Sequence, residues 1–463
     1  MTTSQPTSLT FLGGTGTVTG SKYLLEVAGR RVLIDAGLFQ GDKDLRLRNW
    51  DEFPVDPSTI TDLLVTHAHL DHTGYLPRLV KLGFRGTIWA TPATDRLADI
   101  VLQDSAHLQE MDAKDAAQGG YSKHATPEPL YTIDDVARTM KLVRDVEFHA
   151  PLDLGDGISA TWVRAGHILG SGSIRVTTPG GEVVFSGDLG RHDHPVLRPR
   201  EIPDGAPTVL IETTYGDREH PEWDATPHEE FAEAIRRTVK RGGSVLIPAF
   251  AVDRTEVLLV TLNDMKQAGR IPDIPIYIDS PMGVKALDVY QDPSQAGELR
   301  PGLDAADLVK VPNLHEVTEV ADSIALNDPQ MPCLILSSSG MATGGRVVHH
   351  LEHMLPNPKH TIMFTGYQAS GTRGRSLVDG ARELKMHGHY VPVRAQVLMD
   401  DGFSAHADAS DLLDWLKALD PAPQTVYCVH GETGAPALAQ RIRDELGLTA
   451  VVPTLGERVL LGR

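Results

Sequence analysis

The chain is poor in cysteine, in aromatic residues and in positive charge. Its only two cysteines, Cys333 and Cys428, each lie inside an apolar run, PCLIL and TVYCVH, where a small buried hydrophobe is the ordinary role and no disulfide is expected. Forty-three basic against 62 acidic residues leave a net charge of −19, which excludes nonspecific polyanion binding by the whole surface, so any nucleic-acid site must be a local basic patch. No stretch approaches the ~18 uninterrupted apolar residues of a membrane span. The opening MTTSQPTSLTFLGG has neither the basic start nor the apolar stretch of a secretory signal, so a cytoplasmic address is expected. Internal repeats of 20 to 50 residues are absent, and a 41% hydrophobic, 23% charged composition argues against disorder.

What is present is α/β alternation over 463 residues, a length that favours two domains, one of them able to interrupt the other. LLVTH, TIWAT, VVFSGD, TVLIET, SVLIPAF, IPIYIDS, CLILSSSG, TIMFTGY, AQVLMD and TVYCVH read as buried strands. Helical periodicity is expected over 94–111, 227–241, 253–267, 345–354 and 409–419, while 113–130 and 291–330 read as loops or decorations.

The chemistry concentrates in T-His67-A-His69-L-Asp71-His72-TG, directly after the apolar run DLLV. Four titratable side chains in six residues are costly to bury without a partner, and divalent ions satisfy imidazole nitrogens and a carboxylate together. His67 and His69 can face one ion while Asp71 and His72 face a second. Two further strand ends supply matching groups, His167 in RAGHILGSGS and Asp188 in VVFSGDLG, a short carboxylate able to bridge two ions. Asp35, at the end of RVLIDAG, is placed to hold a ligand histidine or the nucleophilic water. Taken singly, each of these three reads more naturally as a turn residue or a satisfied polar contact.

In this order the residues resemble the metallo-β-lactamase superfamily. The resemblance implies a four-layered αβ/βα sandwich with one metal on His67, His69 and His167, another on Asp71 and His72, and Asp188 bridging. Glu212 in TVLIETTYGDR, His406 in DDGFSAHAD and His430 in VYCVHGE are similar to the added motifs of the β-CASP branch, which processes nucleic acids. That likeness implies an inserted α/β domain over 211–385 that caps the active site, between lactamase segments 1–210 and 386–463. It further implies His430 as the missing ligand, and His406 as a group beside the scissile phosphate. A histidine at the last position favours RNA over DNA in this branch.

These implications amount to a zinc enzyme with two ions that hydrolyses RNA, single-stranded in preference to duplex, through a hydroxide between the metals. Asp35, Asp71, Glu212 and His406 are its catalytic candidates. The cut is expected to be endonucleolytic, with 5′-to-3′ exonucleolytic action left open, and a homodimer is implied by the resemblance alone. The alternatives are a DNA nuclease, a thioester or lactam hydrolase on the same metals, and an inactive RNA-binding scaffold. The loops SSSGMATGGR and FTGYQASGTRGRS offer hydroxyls, backbone amides and fixed cations for phosphate, with Ser337, Ser338, Ser339, Gly340, Arg346, Arg373 and Arg375 as candidates, joined by Ser404. GGTGTVTGS leads into the strand-like KYLLEV and not a helix, which makes it a hairpin turn near the metals and not a nucleotide loop. His349, His350 and His353 read as a solvated or packed helix face without a nearby carboxylate. His107, His124, His192, His194, His220 and His387 read as unremarkable.

Overall fold

A computed structural model describes residues 7–27, 29–119, 127–220 and 227–461. The chain divides into two compact units, residues 1–219 with 406–463, and residues 220–405. The divisions fall later than the expected 210/211 and 385/386. The loop after strand Thr208–Glu212 stays with the first unit, and the hairpin of strands Glu383–Met386 and His389–Pro392, with strand Gln396–Met399, belongs to the second.

The first unit holds two seven-stranded sheets. One runs in the order 458–460, 8–11, 23–27, 30–34, 62–64, 87–90, 143–145; the other runs 449–451, 425–429, 208–212, 181–185, 172–178, 158–164, 152–155. Their inner faces share one apolar core, in which Phe11, Ile34 and Leu64 of the first sheet meet Trp162, Ile174, Phe185 and Leu210 of the second. The Trp162 indole N–H donates to the Val65 carbonyl at 3.0 Å, so the largest side chain of this core is also satisfied as a donor. Helices Ala409–Lys417 and Gly434–Arg441 cover the outer face of the second sheet with Leu412, Leu416 and Leu438, and helices Leu76–Lys81, Pro92–Gly119 and Ile133–Met140 pack beside the first. This is the four-layered αβ/βα arrangement.

The second unit carries a six-stranded, wholly parallel sheet in the order 314–316, 276–278, 334–337, 245–248, 361–364, 396–399, and the separate hairpin. The strands Leu334–Ser337, Val245–Pro248 and Thr361–Phe364 are buried throughout, as continuous apolar runs in a parallel sheet should be.

All ten apolar runs contain strands. Two expectations of loop are corrected: the helix entered at Pro92 continues to Gly119, and 291–330 contains strand Leu314–Glu316 and helix Val320–Ala325. Among the described residues no helix is long and apolar enough to cross a membrane.

In helix Arg254–Gln267 of the second unit, Glu256 is wholly buried, and among the described residues neither carboxylate oxygen has a hydrogen-bond partner. Burial, and then the neighbouring Asp253, push its pKa well above the ordinary 4.5. A carboxyl whose folded pKa is raised contributes stability that is complete below its unfolded pKa and is lost as pH rises toward the folded value, at up to about 1.4 kcal/mol per pH unit. Glu256→Gln is neutral at every pH and should remove that slope. Urea unfolding at about pH 5 and about pH 7 checks this, because the variant should gain on the wild type at the higher pH.

Candidate metal centre

Five strands of the first unit end at one place: Arg30–Ile34, Asp62–Leu64, Gly181–Phe185, Thr208–Glu212 and Thr425–Val429. Strand Arg30–Ile34 is parallel to its neighbour Asp62–Leu64, and the last three are parallel to one another, so their carboxyl ends deliver Asp35, His67, Asp188, Glu212 and His430 together. His69, Asp71 and His72 follow on the short helix Leu70–Thr73, for which His69 is the N-terminal flanking residue. His167 comes from the turn between strands Ile158–Arg164 and Gly172–Thr178, its backbone N–H held by Ser171 Oγ at 3.0 Å. Close approach of backbone to backbone is required here: a Cβ on Gly37 would lie 1.6 Å from the Asp71 carbonyl oxygen.

The ligand-competent atoms form two groups, His67, His69, His167 with Asp188, and Asp71, His72 with His430. Asp188 faces both. Its Oδ2 lies 3.5 Å from His67 Nε2 and 3.7 Å from His167 Nε2, while its Oδ1 lies 3.2 Å from His72 Nε2 and 3.6 Å from His430 Nε2. His430 Nε2 is 3.6 Å from Asp71 Oδ2, and His167 Nε2 is 3.2 Å from His69 Nδ1. Ligands 2.0–2.1 Å from a tetrahedral ion stand about 3.3 Å apart, close to these spacings. Among the described residues His67 Nε2 is buried without a hydrogen-bond partner, and a coordinated cation would satisfy it. The residues therefore fit a metal.

For His67, His69 and His167 the electrostatics agree with that use, whereas a proton on His72 would have to leave as an ion binds. Burial, reinforced by neighbouring imidazoles, lowers the pKa of His67 and His167 well below the ordinary histidine value, and burial lowers His69, so these rings are neutral with lone pairs to give. Burial also opposes charge on His72, but the carboxylates of Asp188 and Asp35 outweigh it and raise its pKa well above the usual range. Asp188 is held far below the usual carboxylate range despite burial, with His430, His72 and His67 around it.

A second ring of residues aims the first. Asp35 Oδ2 accepts from His72 Nδ1 at 2.7 Å, which leaves Nε2 for the cluster, and the same carboxylate accepts from Thr66 N–H and Thr66 Oγ, each at 2.8 Å. Ser21 Oγ, which closes the glycine-rich hairpin loop, bonds His430 Nδ1 at 2.9 Å, and the His430 N–H donates to the Gly14 carbonyl. Asp35 and His430 both hold positive φ, 56° and 51°, strain that this bonding sustains. Ser21 and Thr66 went unrecognised in the sequence reading; the only signal was their position inside GGTGTVTGS and immediately before the His67 motif. Asp35→Asn should weaken metal binding by about 10- to 100-fold, chiefly at the His72 position, as measured by metal titration.

Beside the cluster, His406 Nδ1 lies 3.2 Å from Glu212 Oε1, and its ring is 4.4 Å from that of His167. Glu212 is buried, its Oε1 accepting from Leu189 N–H at 2.9 Å and its Oε2 from Thr214 N–H at 3.1 Å. Burial lowers the His406 pKa, but the adjacent Glu212 more than offsets this and raises it. Asp71, His69 and His406 remain partly exposed while His67, His72, His167, Asp188 and His430 are buried, so the cluster opens to solvent on the Asp71 side.

The expected phosphate loops lie in the second unit. Ser337 Oγ donates to the Asp279 carbonyl, Ser338 Oγ bonds Ser280 Oγ at 2.8 Å, and Ser339 Oγ bonds Thr343 Oγ1 at 2.9 Å. Gly340 packs on Phe250, and Ser404 is buried. Arg346 departs from the expectation: its guanidinium pairs with Asp279 at 2.6 Å and caps the Val317 and Thr318 carbonyls, so its charge is spent inside its own unit. Arg373 donates to the Thr343 carbonyl, and Arg375 pairs with Asp379 on the surface. The reading of His349, His350 and His353 as lacking a carboxylate is also corrected, because Glu352 shares their helix and meets His387. His124 lies outside the described residues.

Comparison with known proteins places this geometry. Residues 15–249 match the metallo-beta-lactamase superfamily, residues 255–377 a Beta-Casp domain, and residues 390–453 a Zn-dependent metallo-hydrolase RNA specificity domain. The chain is 38% identical to "Ribonuclease TTHA0252" of Thermus thermophilus, covering 91% of this chain and 92% of that protein. It is 29% identical to an "RNase J-like protein" of Methanocaldococcus jannaschii over 97% and 98%, and 32% identical to "Transcription termination factor FttA" of Methanosarcina mazei over 92% and 67%. A crystal structure of a protein of unknown function from Enterococcus faecalis shares the fold, with a TM-score of 0.55 at 14% identity over 99% of this chain and all of that one. The chain belongs to the metallo-β-lactamase superfamily, to its branch with a Beta-Casp domain, and is a metal-dependent hydrolase.

Proposed function

We propose that this protein is a two-zinc ribonuclease that hydrolyses the backbone of single-stranded RNA endonucleolytically. The observation that carries the two-metal part is the Asp188 carboxylate, which turns one oxygen to each of two ligand groups. His67, His69 and His167 would hold one ion, Asp71, His72 and His430 the other, and the nitrogen-rich donor set favours zinc. RNA as substrate is supported by the ribonuclease relative that spans nearly the whole chain, by the RNA specificity match over 390–453, and by histidine at position 430.

Ions held there would supply an acidified water and neutralise charge developing on the phosphate. The remaining work belongs to side chains. Hydrolysis adds water across the P–O3′ bond: oxygen joins phosphorus, and the departing O3′ takes a proton. With Nδ1 turned to Glu212, His406 makes that transfer through Nε2, and Glu212 fixes the ring's tautomer and orientation as a carboxylate does for a catalytic histidine elsewhere. The products carry 5′-phosphate and 3′-hydroxyl ends. Asp35 and Ser21 take no part in the transfer, and hold His72 and His430 in place.

The test is cleavage of matched 5′-labelled single-stranded RNA and DNA by protein of known metal content, with and without chelator, resolving products by length. Internal RNA fragments that vanish with chelator are expected, with DNA left intact. Intact RNA in the presence of protein carrying two metals, or DNA cut as readily as RNA, would overturn the proposal.

A further inference from the structure

The second unit contains another group of metal-competent side chains that the hydrolytic centre does not use. Helix Arg346–Met354 presents His349 and Glu352, three residues apart and therefore on one face. The hairpin of strands Glu383–Met386 and His389–Pro392 brings His387 to that face: His387 Nδ1 lies 2.7 Å from Glu352 Oε2, and the His387 ring stacks on that of His349 with centroids 4.7 Å apart. One ligand atom from each of the three lies within 4.8 Å of the others. The other carboxylate oxygen, Oε1, is 2.9 Å from His389 Nε2.

The support beneath these groups is firm. Helix and hairpin share an apolar core in which Val347, Val348 and Leu351 meet Leu384, Met386 and Val391, so the backbones that carry the ligands are fixed by packing. The two-residue turn His387-Gly388 has positive φ at both positions, 44° and 88°, a geometry for which Asn-Gly is the usual sequence. A histidine at the first of these positions is an expense that turn formation does not explain, and it is the residue that reaches Glu352. Partial burial and the nearby His387 lower the His349 pKa, which favours a neutral ring.

We propose that His349, Glu352 and His387 form a third metal site, for a divalent transition ion of the zinc class, which fastens the hairpin to the helix. Two imidazole nitrogens and one carboxylate oxygen with open positions for water form a donor set that zinc accepts. Ligands of such an ion stand about 3.3 Å apart, so the Glu352–His387 contact opens by roughly half an ångström as the ion replaces the proton between them. His389 keeps Oε1 and holds the carboxylate in orientation. Closing a loop from residue 349 to residue 387 should restrict the unfolded chain as any such clip does.

The test is zinc content after equilibrium dialysis of the full-length protein against micromolar zinc. Wild type is expected to carry one more zinc per chain than His387→Asn, chosen because asparagine accepts the positive φ of the turn and removes the ligand. Glu352→Gln should lose the same equivalent. His353→Ala should not, because the Nδ1 of that ring is bonded to the His349 carbonyl and His353 stands outside the triad. Circular dichroism melting in the presence of chelator should show the three variants folded as wild type is. Equal zinc in wild type and in a folded His387→Asn, or an equal loss in His353→Ala, would overturn the assignment.

Discussion

Asp188→Ala is expected to empty both positions of the metal centre together, with hydrolysis falling by more than the roughly 10²- to 10³-fold that follows loss of a single oxyanion donor. The reason is its position: four imidazole nitrogens, from His67, His167, His72 and His430, lie 3.2 to 3.7 Å from the two oxygens of one side chain, so removing it takes a ligand from each group. It also takes away the negative charge nearest the centre of a buried histidine cluster, and the partly exposed Asp71 is left as the other ligand carboxylate. Asp188→Asn separates these contributions, for it conserves volume and one oxygen while discarding the charge, and it should retain at most one ion. Metal analysis of the purified variants, with circular dichroism to establish folding, provides the check. Unchanged stoichiometry in a folded Asp188→Ala would sink the bridging role and with it the two-metal arrangement.

Four parts of this centre that were legible in the sequence share one property: each follows an apolar run long enough to announce a buried strand, whereas His167, after VRAG, and His406, after DDGFSA, stood out only through the motif as a whole. DLLV before His67, VVFS before Asp188, TVLI before Glu212 and TVYCV before His430 all show it. The strands of 152–178 were less audible because they alternate, as in ISATWVR, where buried and half-buried residues succeed one another on a sheet whose outer face is not fully covered. Helix Pro92–Gly119 ran past its expected end because no proline or glycine stops it before residue 119. Partners contributed from afar were invisible for a different reason. Nothing in GGTGTVTGS says that Ser21 will meet a histidine 409 positions later, and nothing in GGRVVHH says that Arg346 will find Asp279 and not a phosphate. His387 likewise meets Glu352 only through the turn that carries it there. Local sequence reports what a residue can do; the fold decides what it meets.

His406→Ala is expected to keep both metals and to lose turnover by about 10²- to 10⁴-fold, the range for removing a general acid. The expectation follows from which atoms face which. His406 Nδ1 is turned to Glu212, and its approach to His167 is ring to ring at 4.4 Å, neither of which is a ligand's contact with an ion. Glu212 in turn accepts from two backbone amides, so it is an anchored carboxylate whose remaining reach is toward this one imidazole. Glu212→Gln should therefore reproduce much of the loss, because an amide cannot hold the ring as the carboxylate does. The two changes should not multiply. Once the imidazole is gone, its orienting carboxylate has nothing to act on, and the double variant His406→Ala with Glu212→Gln should be about as slow as His406→Ala alone. Single-turnover cleavage of labelled RNA, run beside metal analysis on the same preparations, measures both halves. Metal loss in His406→Ala would make the residue a support for His167 and not an acid. Full multiplication of the two defects would show that Glu212 works through some group other than His406, and the open, Asp71-facing side of the cluster would then be the place to look for it.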